Sequence, residues 1–177
     1  ASLRVEEDVL VNYGFVSARV HALMHPRRRL QLPAHPRTRV HKLLAFVGDR
    51  GEVHPRDVDA HFSHGTVTNY WGGSSKATTH LLEDLHYRGW LRVTRREQGI
   101  RIYALRDTPE ANNGLSPRDR IDALVDVVVN TYAPLPGLSL AYAIGRLRYA
   151  VPQWRAQLKA ALARARSRLA HAQSDGV

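Results

Sequence analysis

The sequence predicts a mainly α-helical protein with a small antiparallel β-hairpin. Three observations lead there. Apolar residues recur at helical spacing over most of the 177 residues. Proline and glycine fall where helices begin and end. One stretch, "WLRVTRREQGIRIYAL" from Trp90 to Leu105, alternates instead, with Leu91 and Val93 against Ile100, Ile102 and Ala104 across a turn at Gln98-Gly99.

The elements follow in order. Residues 1–34 carry a predicted helix, "EEDVLVNYGFVSARVHALM", that stops at His25-Pro26, and a basic linker, "RRRLQLPAHPR", broken by Pro33 and Pro36. In residues 35–108, Val40, Leu43, Leu44 and Val47 share a helix face that ends at Gly51. A second helix opens at Pro55 and turns Val58 and Phe62 to one side. A third begins at "SSKATT", with Ser74 and Ser75 as caps and Ala77, Leu81, Leu82 and Leu85 facing inward. Helix, helix, helix, hairpin is the order of a winged helix-turn-helix. In residues 109–177, Ser116, Pro117 and Asp119 form a capping-box start. Two more helices follow, one carrying Leu140, Ile144 and Leu147 and the other Trp154, Leu158, Leu162, Ala165 and Leu169. They make a second three-helix, HTH-like unit or, alternatively, a degenerate second winged helix.

Composition narrows the partner. Lys plus Arg number 26 against 16 Asp plus Glu, a net charge of +10, which suits a polyanion because phosphate contacts release condensed counterions. No apolar run reaches the ~18–20 residues that span a bilayer, so no membrane is expected. There is no cysteine, hence no disulfide framework and no thiolate zinc site. A reducing bacterial cytoplasm, with the chain bound to the nucleoid, is the expected setting.

The helix after the turn would enter a groove of double-stranded DNA, offering Ser74, Ser75, Lys76, Thr78 and Thr79. Short hydroxyls and one cation suit phosphates better than base edges, since no arginine or asparagine stands in that first turn. Against this stands the plainer reading that the serines only cap and Lys76 is solvated. Arg95, Arg96 and Arg101 on the hairpin would bind adjacent phosphates, or form a solvated tip that Glu97 partly neutralises. His21 with His25 and His61 with His64 have metal-like spacing but no nearby carboxylate or cysteine in a zinc pattern, so neither metal nor cofactor is expected. No P-loop and no nucleophile elbow occurs. Trp71 reads as a loop anchor or, alternatively, a base-stacking ring. The stripe from Trp154 to Leu169 is either an internal core or the seam of a homodimer, and the core reading is preferred.

"RGEVHPRDVDAHF" and "YWGGSSKATTHLLEDLHYRGWLRVTRREQGIRIYAL" resemble the central winged helix of the bacterial crosslink-repair DNA glycosylases (YcaQ-like and AlkZ-like proteins). The matching residues are Arg50-Gly51, Arg56-Asp57, Tyr70-Trp71-Gly72, Lys76 with Leu82 and Leu85, Arg95-Arg96, and Tyr103 with Leu105. The resemblance implies DNA repair: members remove alkylated bases and unhook interstrand crosslinks. Their catalytic pair, Gln-x-Gln or Gln-x-Asp, lies in an N-terminal winged helix, and a β-barrel closes the chain. The one formal match, Gln173-Ser174-Asp175, falls in a tail expected to fray. The expectation is a DNA-binding protein or fragment without glycosylase activity of its own. The alternative is a dimeric winged-helix transcriptional regulator.

Overall fold

The computed structural model describes residues 5–27, 39–62, 66–68, 74–106 and 114–169. It is mainly helical, with small antiparallel hairpins: β1 (Val5–Val9) with β2 (Tyr13–Ser17), β3 (Thr66–Thr68) with β4 (Ser74–Lys76), and β5 (Leu91–Glu97) with β6 (Ile100–Leu105). The helices are α1 (Ala18–Met24), α2 (Arg39–Arg50), α3 (Pro55–Phe62), α4 (Ala77–Arg88), α5 (Pro117–Tyr132), α6 (Gly137–Ala150) and α7 (Leu158–Arg168). The Pro33–Pro36 linker, the Tyr70-Trp71-Gly72 loop and Gln173-Ser174-Asp175 lie outside the described residues.

Two apolar clusters organise the chain. One gathers Leu43 and Val47 of α2, Val58 of α3, Leu82 and Leu85 of α4, Leu91 and Tyr103, with Val53 between them. Here the expected inward faces hold. Gly51 ends α2 at φ +73, and Pro55 opens α3, whose first turn is tied to His54: its ring Nδ1 accepts from the Arg56 amide at 3.0 Å. The β5–β6 turn is Gln98-Gly99 as expected, both residues at positive φ, which is the twist a two-residue hairpin needs. A register shift between Val93 and Arg95 breaks the strict alternation. Ile102, Tyr103 and Ala104 are all buried, while Ile100 is exposed at the tip. Val53 pairs with Tyr103 through two backbone hydrogen bonds, 2.8 and 3.0 Å, and adds a short third rung.

The other cluster joins Ile121, Leu124, Val125 and Val128 of α5, Ile144 and Leu147 of α6, and Leu158, Ala161 and Ala165 of α7 to Val11, Val16, Leu23 and Met24 from the N-terminal segment. Trp154, Leu162 and Leu169 pack against it, so the C-terminal stripe is used inside the chain's own core. Ser116 caps α5 as expected: its hydroxyl accepts from the Asp119 amide at 3.2 Å and donates to the Asp119 carboxylate at 2.7 Å.

Three expectations are corrected. The segment from Glu6 is a hairpin and only then a helix. β-Branched Val5, Val9, Val11 and Val16 favour strand, Asn12 and Gly14 interrupt a helix, and Glu6, Glu7 and Asp8 are all buried beside arginines that only the extended chain reaches. Ser74 to Lys76 form a strand paired with Thr66–Thr68, so α4 starts at Ala77 and not at the serines. The last segment breaks into a 3₁₀ stretch, Pro152–Gln157, before α7, with Trp154 at non-helical angles.

Candidate nucleic-acid interface

β5 and β6 carry the predicted arginines to an exposed tip, but each meets a carboxylate. Arg95 pairs with Glu52 and, at 2.6 Å, with Glu97, all well exposed. Arg96 grips Glu7 with two parallel bonds, Nε to Oε1 at 2.8 Å and Nη2 to Oε2 at 2.7 Å, and donates to the Gly99 carbonyl at 2.9 Å. Arg101 bonds Glu83 at 3.1 Å and lies over the Tyr13 ring, 4.4 Å from its centroid. Arg95 is thus held by exposed, easily exchanged pairs, whereas Arg96 and Arg101 fasten the β5–β6 hairpin to the N-terminal one.

The helix-start residues divide. Thr78 is fully buried (0% exposed), and its hydroxyl donates to Asp59 at 3.4 Å; a side chain so placed presents nothing to a phosphate. Thr79 is half-buried in the first turn of α4, and Ser74, Ser75 and Lys76 precede it as β4.

Behind the hairpins lies an ionic network that sequence reasoning missed. Arg27, 1% exposed, donates to Asp8 (2.6 Å), to the Val9 carbonyl (2.8 Å), to the Tyr87 carbonyl of α4 (3.1 Å) and to the Ala150 carbonyl of α6 (2.6 Å). Asp8 also bonds His25 at 2.8 Å. Burial alone would raise the Asp8 pKa, but the His25 bond and the Arg27 charge outweigh it and hold the carboxyl below its usual range. Glu7 is lowered too, first by the Arg96 bond. His86 is pushed down to about 4, chiefly by burial. Neutral at ordinary pH, its Nε2–H donates to the Glu7 carbonyl at 3.0 Å. Arg106 reaches Glu6 at 3.4 Å. Three consecutive acids beside valines, facing arginines far along the chain, were the available signal.

The fold also brings Asp8 to the His21–His25 pair, the carboxylate that the spacing alone lacked. The donors lie within 4.8 Å of one another, yet the two imidazoles stack at 4.0 Å between centroids and 13° between planes. One ion cannot sit near both ring planes in that arrangement, and Arg27 already holds Asp8. The set fits a charge-compensated network better than a metal centre.

For this mainly helical, strongly basic chain, comparison with protein families defines the class as DNA glycosylases. The chain matches the family described as "DNA glycosylase AlkZ-like" over residues 11–176 and belongs to it. Comparisons with curated proteins and with solved structures find no match. Among the described residues, no helix is long and apolar enough to cross a membrane.

Proposed function

We propose that this chain, an AlkZ-like protein or a fragment of one, binds duplex DNA, mainly through phosphates, and that these residues do not themselves cleave a glycosidic bond. Residues 35–108 act as a winged helix, with 109–177 as an accompanying helical unit. Family membership over residues 11–176 carries this reading. The positive charge, the exposed tip around Arg95 and the helix, helix, helix, hairpin order support it. Arg95 is the principal phosphate contact, since exposed pairs such as Arg95–Glu97 exchange readily for phosphate. Arg96 and Arg101 contribute from their anchored positions, and Ser74, Ser75, Lys76 and Thr79 lie along the approach to α4. The reading is tested by a salt-titrated binding series on plain duplex with wild type and Arg95→Glu. Affinity should fall linearly with log salt, and the variant should bind more weakly with a shallower slope. Unchanged affinity would remove the hairpin from the interface, and abasic sites formed in an alkylated duplex would refute the noncatalytic part.

A further inference from the structure

The C-terminal helices carry an unusual charge pattern. From Val127 to Ser174 there is no aspartate or glutamate, while Arg146, Arg148, Arg155, Lys159, Arg164, Arg166 and Arg168 fall in that run. Arg164 and Arg168 are taken by Asp122 and Asp126 of α5, at 2.7 and 2.6 Å. The others have no carboxylate partner among the described residues, in contrast to the hairpin arginines.

Along α6, Leu138, Tyr142, Gly145 and Tyr149 share one face by their spacing, and the opposite face, Ala143, Ile144, Leu147 and Ala150, is buried in the core. The outer face is open: Leu138 is 87%, Tyr142 66% and Tyr149 42% exposed. A side chain built at Gly145 would meet nothing within 4 Å, so the stripe is low in its middle. The Arg146 guanidinium lies 5.9 Å from the Tyr142 ring centre and 5.2 Å from that of Tyr149. Arg148 lies 4.9 Å from the Tyr149 ring and donates to its hydroxyl at 3.3 Å. That hydroxyl is held below its ordinary pKa, first by the Arg148 bond, with the charges of Arg146 and Arg155 adding to it. Arginine and tyrosine therefore form one surface about 16 Å long.

We propose that the outer face of α6, Leu138, Tyr142 and Tyr149 with Arg146, Arg148 and Arg155, binds unpaired single-stranded DNA, arginines on phosphates and tyrosine rings against bases. A duplex shows this face only phosphates and sugars, and an exposed leucine and tyrosine gain little there. Unstacked bases offer them flat apolar surface. A second copy of the chain fits poorly, because facing copies would crowd their arginines with no carboxylate between them. The surface is separate from the hairpin tip and stands independently of the role given to Arg95.

The test is fluorescence anisotropy with a labelled oligothymidylate and, in parallel, a duplex of equal length, using wild type, Tyr142→Ala, Tyr142→Phe, Arg148→Glu/Arg155→Glu and, as an off-face aromatic control, Phe15→Ala. Tyr142→Ala should weaken oligothymidylate binding about tenfold while changing duplex binding far less. Tyr142→Phe and Phe15→Ala should bind as wild type, and the double charge reversal should weaken binding and flatten its salt dependence. Unaltered melting temperatures exclude misfolding, as expected for side chains this exposed. Wild-type binding to the oligothymidylate without the duplex would sink the hairpin reading and leave this one standing. Equal losses on both DNAs, no effect of Tyr142→Ala, or Tyr142-dependent capture by phosphatidylserine vesicles in place of oligothymidylate would overturn the proposal.

Discussion

Arg27 illustrates how one side chain can hold three parts of a protein together. Its guanidinium is almost wholly out of water and spends its donors on Asp8 and on carbonyls from the N-terminal hairpin, α4 and α6. Removing it would strand the Asp8 carboxylate in the interior, and breaking a buried pair from one side costs about 3–5 kcal/mol. Arg27→Met should therefore lower unfolding free energy by about that much in urea titrations, whereas Arg27→Met with Asp8→Asn should recover a substantial part. Equal losses in the single and double variants would mean the ion pair is not what stabilises this junction. Gly89 supplies a second residue-scale case. It sits at φ +92, and a methyl group there would approach His25 Nδ1 to 2.7 Å. Gly89→Ala combines backbone strain with displacement of a buried imidazole, so a loss of about 1–3 kcal/mol is expected by the same titration.

At the scale of elements, α1 is seven residues long and owes its shape to its neighbours. Ser17 caps its start, accepting from the Val20 amide at 3.3 Å. Its end is closed by Arg120 of α5, which donates to the carbonyls of Leu23 (3.0 Å), Ala22 (2.6 Å) and His25, with its guanidinium 4.8 Å from the Trp154 ring centre. Arg120→Gln should fray α1 and cost about 2–3 kcal/mol, seen as early amide exchange over residues 20–25 ahead of α5. These contacts also explain what was legible in the sequence. α2, α3, the β5–β6 hairpin and α5 were readable because Gly51, Pro55, Gln98-Gly99 and Ser116 carry local instructions. The N-terminal hairpin was not, because Glu6, Glu7 and Asp8 become intelligible as strand residues only beside Arg106, Arg96 and Arg27. Thr78 likewise looked like a surface hydroxyl until α3 placed Asp59 against it. Of the candidate interface, the location of the basic hairpin was foreseen; the carboxylates that occupy its arginines, and the exposure of Leu138, Tyr142 and Tyr149 on α6, emerge only in three dimensions.

For the molecule as a whole, the buried histidines set a response to acid. His86 has a folded pKa of about 4 against 6.5 for the free side chain, and His21 and His25 are also lowered, mainly by burial. Between pH 6.5 and about 4 the unfolded chain takes up a proton at His86 that the folded chain refuses. Stability is therefore lost as pH falls through that window, at up to about 1 kcal/mol per pH unit for each such histidine. Glu7 and Asp8, lowered in the folded state, act in the same direction below their free values of 4.5 and 3.8. Melting temperature should be level from pH 8 to 7 and drop steadily from pH 6 to 4. A flat profile across that range would show that these imidazoles remain accessible to protons.

The C-terminal core has a further implication for how the polypeptide is made. Val11, Val16, Leu23 and Met24 find their partners on α5, α6 and α7, roughly a hundred residues downstream. During synthesis the β1–α1 segment leaves the ribosome long before those helices exist, and its apolar side chains must wait in water or in the hands of a chaperone. The α2–β6 cluster draws on residues closer together in the chain and can mature on its own schedule, but this second core closes only once α7 has been translated.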